Sequence, residues 1–136
     1  MKSSRFMISV VFALFVLLAS AVAQTGAVRV TVPFAFTVGN QTLAAGDYKV
    51  SINGSLLQVA RIDGPGTASV MTSYTGSGPN QDPNPRLVFH RYGKRHFLSQ
   101  AWIGEVNGGH ELFASSAELE YARTTKQDQA IVLASR

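Results

Sequence analysis

Residues 28–38 constrain the fold of this chain more than any other stretch. Every second residue in this run is a large apolar one: Val28, Val30, Val32, Phe34, Phe36 and Val38. Successive side chains of a β-strand point to opposite faces, so this period of two places all six on one side. The spacing predicts a half-buried strand that is bent, or lies at a sheet edge, at Pro33, which lacks a backbone donor.

A hairpin signal follows this strand. The alternation resumes in residues 48–52 and stops at Asn53-Gly54, a pair typical of a two-residue type I′ turn. The predicted pairs across this turn are Ile52 with Ser55, Val50 with Leu57 and Tyr48 with Val59. Leu57 and Val59 would then continue the apolar face, so the turn and the hydrophobic pattern agree.

The first 23 residues have the three-part plan of a secretory signal peptide. Lys2 and Arg5 precede an apolar run over residues 6–19, and small residues then form an A-x-A site that ends at Ala23. We predict cleavage after Ala23 and export to the periplasm or the extracellular space. The alternative is that residues 6–23 stay uncut as an anchor, which would be the only contact with a membrane.

Cleavage there would divide the 136 residues into a signal peptide, 1–23, and a single β-domain, 24–136. The signal holds two of the twelve basic residues and none of the eight acidic ones, which leaves a mature side-chain charge of only +2. A mildly basic domain indicates no particular anionic partner. The absence of cysteine excludes disulfides, a thiol nucleophile and thiolate metal ligands.

A second hairpin is predicted around Gly93-Lys94. Its predicted pairs are Tyr92 with Arg95, His90 with Phe97 and Val88 with Ser99. One face of this ribbon, the predicted core face, then carries Leu87, Phe89, Leu98 and Trp102. The other face is unusually apolar, and it is our candidate ligand or partner face: Val88, His90, Tyr92, Phe97 and Ile103.

Further strands are predicted at residues 67–74, 110–114 and 131–133, and a Gly- and Pro-rich loop at residues 75–85. Ser115 followed by Glu118 forms a capping-box signal for the one predicted helix. Leu119 and Ala122 of this helix are predicted to pack on the sheet. The chain is therefore predicted to be all-β, an antiparallel meander that forms a β-sandwich or a partly closed barrel with one short C-terminal helix.

The chain reads VPFAFTVGN at residues 32–40 and LAAGDYKV at residues 43–50. These residues are similar to the VPFxFxVGxxxLPAGxYxV start of a group of small secreted bacterial proteins of acidobacterial type. The residues LVFHRYG at 87–93, FL at 97–98, Trp102 and SAE at 116–118 resemble the same group. Ala44 departs from the pattern, which has proline there. The resemblance implies export and an all-β fold, and it carries over no catalytic residue.

The candidate metal ligands are the three histidines, with Glu105 and Glu111 as oxygen ligands. The hairpin register places His90 and His96 on opposite faces of the ribbon, which argues against a shared site. We therefore predict no metal and no cofactor.

A serine hydrolase needs a nucleophile, a base and an orienting acid within hydrogen-bond reach. Ser99 and His90 share a face, but neither strand carries a carboxylate that could orient the histidine. Glu118 and Glu120 are two residues apart on the predicted helix and diverge, which argues against a glycosidase pair. These patterns predict that the protein is not an enzyme, with a hydrolase as the least favoured alternative.

Arg91, Lys94 and Arg95 interleave with aromatic residues at the second hairpin and are candidate contacts for an anionic group; the alternative is a solvated, charged hairpin tip. No nucleic-acid partner is predicted. We predict an exported, non-enzymatic interaction or structural module with an unidentified protein partner. The alternative is a carrier of a small apolar or lipid-like ligand, held in a cavity of the barrel or sandwich.

Overall fold

The computed structural model describes residues 27–76, 84–103 and 108–135. The predicted signal peptide and its cleavage site, most of the predicted 75–85 loop, and Glu105 lie outside these residues. The described elements are β1 (Ala27–Val32), β2 (Phe36–Val38), β3 (Gln41–Leu43), β4 (Gly46–Asn53), β5 (Leu56–Arg61), β6 (Thr67–Gly76), β7 (Arg86–Tyr92), β8 (Arg95–Trp102), β9 (Gly108–Leu112), α1 (Ser116–Thr124) and β10 (Gln127–Ser135).

Eight of these strands close into an antiparallel β-barrel, so of the two predicted architectures the barrel is present. The order around the barrel is β1, β4, β5, β6, β9, β8, β7 and β10, and β10 pairs again with β1. The pairing of Gln100 and Ala101 with β9 completes the closure. Strands β2 and β3 form a short hairpin. Strand β2 of this hairpin pairs in parallel with the beginning of β8, with Thr37 opposite Phe97. A closed barrel leaves few free strand edges for aggregation.

The first strand is bent, as predicted. β1 ends at Val32, the chain turns at Pro33, and β2 begins at Phe36. The ring of Phe36 packs edge-on against Tyr48 and Phe89, with ring centroids 5.2 and 5.5 Å apart. The largest side chains that are fully enclosed by the barrel are Tyr48, Phe36, Phe89, Leu57, Leu87, Val30, Val32, Val50 and Val59. Burial of each such side chain contributes about 1.5–3 kcal/mol to folding.

The first hairpin forms, but its turn is one residue later than predicted. Asn53 pairs with Leu56, so Gly54 and Ser55 make the turn. Gly54 has a φ of 61°, and no residue other than glycine has a positive φ in the described chain, which fits a type II′ turn rather than type I′. The register is shifted by two residues, an even number, and Leu57 therefore still faces the core as predicted.

The second hairpin has the predicted turn and one irregularity. Gly93 has a φ of 62°, and the strands next to it pair in the predicted register. Farther from the turn the register shifts, so Val88 pairs with Gln100 and the predicted pair of Val88 with Ser99 is wrong. Ser99 is the extra residue of a β-bulge.

The bulge reverses two of the predicted faces. Side chains alternate along a strand, so one extra residue moves all later side chains of β8 to the opposite side. Ile103 consequently lies in the barrel core, whereas Trp102 lies opposite Arg86 on the outer surface. The other three predicted core residues precede the bulge or lie on the regular strand β7, and they are buried as expected: Leu87, Phe89 and Leu98. The prediction that Trp102 faces the core is wrong.

The helix begins where the capping signal predicts, but it packs through other residues. Ser115 is the N-cap, and its hydroxyl accepts a hydrogen bond of 3.2 Å from the backbone N–H of Glu118. Leu119 and Ala122 are exposed, so the expectation that they pack on the sheet is wrong; Glu118 is the buried residue of α1. Within the described residues, no helix has the length and apolar character needed to cross a membrane.

Candidate functional site

Most of the predicted ligand or partner face is covered by the chain itself. Tyr92 and Phe97 contact each other edge-on, and the ring of Tyr121 from α1 lies 5.9 Å from that of Phe97. Val88, Tyr92 and Phe97 are all buried. The unusual apolarity of this face is therefore explained in large part by helix α1, and Ile103 is not part of the face.

A chain of hydrogen bonds runs beneath this helix. The hydroxyl of Ser99 lies 3.0 Å from Nε2 of His90, and Nδ1 of His90 lies 2.8 Å from Oε1 of Glu118. A carboxylate oxygen accepts, so Nδ1 is the donor in this pair, and the tautomer that carries a proton only on Nδ1 has Nε2 available to accept from Ser99. We call Ser99, His90 and Glu118 the Ser-His-Glu network.

Tyr92 completes the surroundings of the carboxylate. Its hydroxyl donates to the same Oε1 of Glu118 at 3.3 Å. Burial, followed by the nearby charge of Glu118, raises the pKa of Tyr92, which keeps this hydroxyl protonated as a donor. The buried carboxylate thus has two donors, as a buried charged group requires.

The sequence identified two members of this network and missed the connection to the third. Ser99 and His90 share a face, as predicted, but the acid that contacts His90 comes from helix α1 and not from either strand of the hairpin. Glu118 was noticed for its capping position, where a glutamate side chain commonly turns back to the N-cap. One signal could have indicated the contact of Glu118 with His90. Glu118 lies in the first turn of a helix whose apolar stripe is weak, and such a helix needs polar contacts to pack on the sheet.

The three candidate cations at the hairpin tip have different surroundings. Arg91 forms an ion pair with Asp128, and the guanidinium of Arg95 lies 5.4 Å from the ring centroid of Tyr121. Lys94 is exposed in the turn. Arg91 also lines a surface cleft of about 350 Å³ together with Gly93, Lys126, Gln127 and Asp128. A backbone hydrogen bond from Gln129, and then the bond from Arg91, hold the pKa of Asp128 below its usual range.

The histidines lie in three different environments. The ring of His96 stacks on Phe34 with centroids 3.8 Å apart, on the side of the ribbon opposite to His90. Nδ1 of His110 lies 3.0 Å from the hydroxyl of Thr72, which itself donates to a backbone carbonyl. Among the described residues, no group of three or more histidine, aspartate or glutamate side chains is placed to hold a metal ion.

A row of side chains crosses the outer surface of three neighbouring strands. Leu133 of β10 is opposite Arg86 of β7, and Arg86 is opposite Trp102 of β8. The guanidinium of Arg86 lies 4.9 Å from the ring centroid of Trp102. Ile131 lies two residues before Leu133, hence on the same face of β10. We call these four residues the outer row.

Two members of the outer row are unusually exposed. Leu133 is 65% exposed and Ile131 is 59% exposed. Both residues lie on β10, which is paired with β7 on one side and with β1 on the other. The residues of β10 that pack against the core are Ala130, Val132 and Ala134. Exposed aliphatic side chains that adjoin one another, unlike isolated ones, mark candidate interaction surfaces.

Comparison of the chain with protein-family models, with curated proteins and with solved structures finds no match.

Proposed function

We propose that the protein is an exported β-barrel module that works by binding a partner protein through the outer row. The observation that carries this proposal is the alignment of Leu133, Arg86 and Trp102 across three strands, with Ile131 beside them. Tryptophan and arginine are enriched among the residues that dominate the binding energy of protein interfaces. A partner that buries the two aliphatic side chains would also cover the exposed part of Trp102.

The packing of the barrel supports this surface-binding function over a carrier. Large side chains occupy the interior, including Tyr48, Phe36 and Phe89. Of the residues expected to line a ligand cavity, Ile103 belongs to the core and the remainder are buried or take part in the network beneath α1. A ligand large enough to occupy a carrier's cavity at the predicted place would have to displace the helix or part of the core.

The binding proposal is tested by comparing two substitutions on outer faces of the barrel. Leu133→Glu places a charge in the outer row, and Met71→Glu is the matched control on β6, where Met71 is 59% exposed. Both positions are on the surface, so each substitution should change the free energy of unfolding by no more than about 0.5 kcal/mol. Chemical crosslinking in the producing cells, followed by mass spectrometry, reads out the partner.

We expect the wild-type chain and Met71→Glu to be crosslinked to the same protein, and Leu133→Glu to lose that product. Equal recovery of the product by Leu133→Glu would contradict the proposal. A crosslinked homodimer that disappears only in Leu133→Glu would identify the partner as a second copy of this chain.

Export is tested separately by the intact mass of the protein recovered from outside the cytoplasm. Cleavage after Ala23 gives a chain that begins at Gln24, whereas an uncut chain in the membrane fraction would favour the anchor.

A further inference from the structure

We propose that Ser99, His90 and Glu118 form a nucleophilic site that accepts the acyl group of a small carboxylic ester, an activity beyond the binding function. The sequence argued against a serine nucleophile because no acid was found to orient His90. Helix α1 supplies that acid, since Oε1 of Glu118 lies 2.8 Å from Nδ1.

The order of the contacts is the one that nucleophilic catalysis requires. A base must take the proton of the nucleophile, and a third group must hold the base in the right tautomer. Ser99 contacts Nε2, and Glu118 contacts the other ring nitrogen. Both distances, 3.0 and 2.8 Å, fall in the range in which nucleophile, base and acid act together.

The position of Ser99 in the strand adds an independent reason. It is the residue that the register shift of β8 leaves without a pairing partner on β7. Bulges are over-represented next to active sites, where they redirect a side chain. A regular strand would have needed no extra residue here, and Trp102 would then have faced the interior.

Exposure limits the substrate to a small one. Ser99 is 5% exposed and Glu118 is 6% exposed, whereas the side chain of His90 is 26% exposed. An ester must therefore approach on the His90 side and place a short acyl group against the hydroxyl. A long acyl chain would clash with the covering helix.

The reaction consists of two balanced steps. In the first, Ser99 Oγ bonds to the carbonyl carbon and gives its proton to His90 Nε2; the bond to the alcohol oxygen then breaks, and that oxygen takes the proton. In the second, water attacks the acyl carbon through its oxygen and gives a proton to Nε2. The acid leaves, and Ser99 Oγ recovers the proton. Glu118 touches no reacting atom and is a positioning residue.

The experiment uses the full chain and p-nitrophenyl acetate, with mass spectrometry locating the acetyl group. The chain contains neither lysine nor arginine between His96 and Ala122, so Ser99 and the exposed Ser116 fall in one tryptic peptide. Ser116 is thus an internal reference in the wild-type protein. A general base contributes about 100-fold or more, so we expect Ser99 to be acetylated at least about 100 times faster than Ser116.

Variants separate catalysis from a purely structural role. Ser99→Ala should remove the fast acetylation, Ser116→Ala should leave it unchanged, and His90→Gln should lower its rate by about 100-fold. Glu118→Gln should also lower the rate, because the amide holds the imidazole less firmly as a base. Far-ultraviolet circular dichroism checks that each variant is folded.

The pH profile is the readout that a structural role would not move. The wild-type rate should depend on pH because His90 acts as a general base, and His90→Gln should lack this dependence. The titratable group that contacts His90 is Glu118 from α1, with Tyr92 beside Glu118. The uncharged neighbours of His90 are Ser99 from β8 and Gln129, which is opposite on β10. Equal acetylation of Ser99 and Ser116 in the wild-type chain would overturn the proposal even if no variant folds, as would an unchanged rate in folded His90→Gln.

Discussion

Glu118 Oε1 and His90 Nδ1 lie 2.8 Å apart, although 28 residues of chain separate them. This contact joins the only helix of the described chain to the wall of the barrel. The apolar residues Leu119 and Ala122 point away from the sheet, so a buried hydrogen bond replaces the usual hydrophobic stripe. The helix is therefore docked by this carboxylate together with the ring of Tyr121, which lies near Phe97.

The first prediction concerns this carboxylate. Glu118→Ala leaves the donors of His90 and Tyr92 without their partner and should lower the free energy of unfolding by about 1.5–3 kcal/mol, the usual range for hydrogen bonds to a charged group. Glu120→Ala, an exposed glutamate on the same helix, is the control and should be nearly neutral. Urea unfolding measures both, and equal effects would show that the network does not dock the helix.

The second prediction concerns Gly109 beneath Trp102. A Cβ at Gly109 would lie 2.6 Å from the indole ring, so Gly109→Ala should displace the ring and cost about 1–3 kcal/mol. Gly76→Ala is the matched control, because a Cβ there meets nothing within 4 Å. Trp102 is the single tryptophan, so its fluorescence should shift in the first variant only. A wild-type spectrum and midpoint for Gly109→Ala would contradict the packing described.

The third prediction concerns the pH dependence of stability. Burial, and then the charge of Arg91, hold the pKa of His96 below its usual value of 6.5, with a backbone hydrogen bond at Lys94 opposing them. When the pH falls through 6.5, His96 binds a proton in the unfolded chain but not yet in the folded chain. Stability should therefore fall as the pH drops from neutral toward the lower folded pKa.

His96→Phe should reduce this loss. The phenyl ring retains the stacking on Phe34 and removes the titration. Urea unfolding at a series of pH values measures the slope. An identical slope in the variant would assign the pH dependence to other groups.

The fourth prediction concerns acid unfolding. A hydrogen bond from Thr31, and then one from Arg29, lower the pKa of Asp47 below its usual value of 3.8. A depressed carboxyl pKa contributes stability above the unfolded value, and this contribution is lost as the pH falls through the folded one. Asp47→Asn should therefore lose less stability than the wild-type chain between neutral and strongly acid pH. A larger loss in Asp47→Asn would contradict the assignment.

The sequence anticipated those parts of the site that depend on residues close together in the chain. The turn at Gly93 and the alternation along β7 were enough to place His90 and Ser99 on one face of the ribbon. Glu118 was assigned to the start of a helix, and it lies there. The contact between the helix and the hairpin was missed because no periodicity in either segment encodes where the other will lie.

The bulge at Ser99 shows a second limit. The pattern of apolar residues in β8 is compatible both with a regular strand and with a bulged strand. Placing Ile103 in the core and Trp102 on the surface required the extra residue. A local pattern does not predict the register shift at Ser99, because the shift is caused by contacts with side chains of other strands.

The sequence by itself determined that this chain forms antiparallel strands, where its hairpin turns lie to within one residue, and where its helix begins. Period-two alternation, glycine with positive φ and a serine N-cap act over a few residues, and each has a local physical cause. The tertiary structure alone decided that the sheet closes into a barrel, that β8 bulges, and that Glu118 meets His90. These outcomes depend on contacts between residues far apart in the chain, which form only when the core is filled and every buried polar group finds a partner.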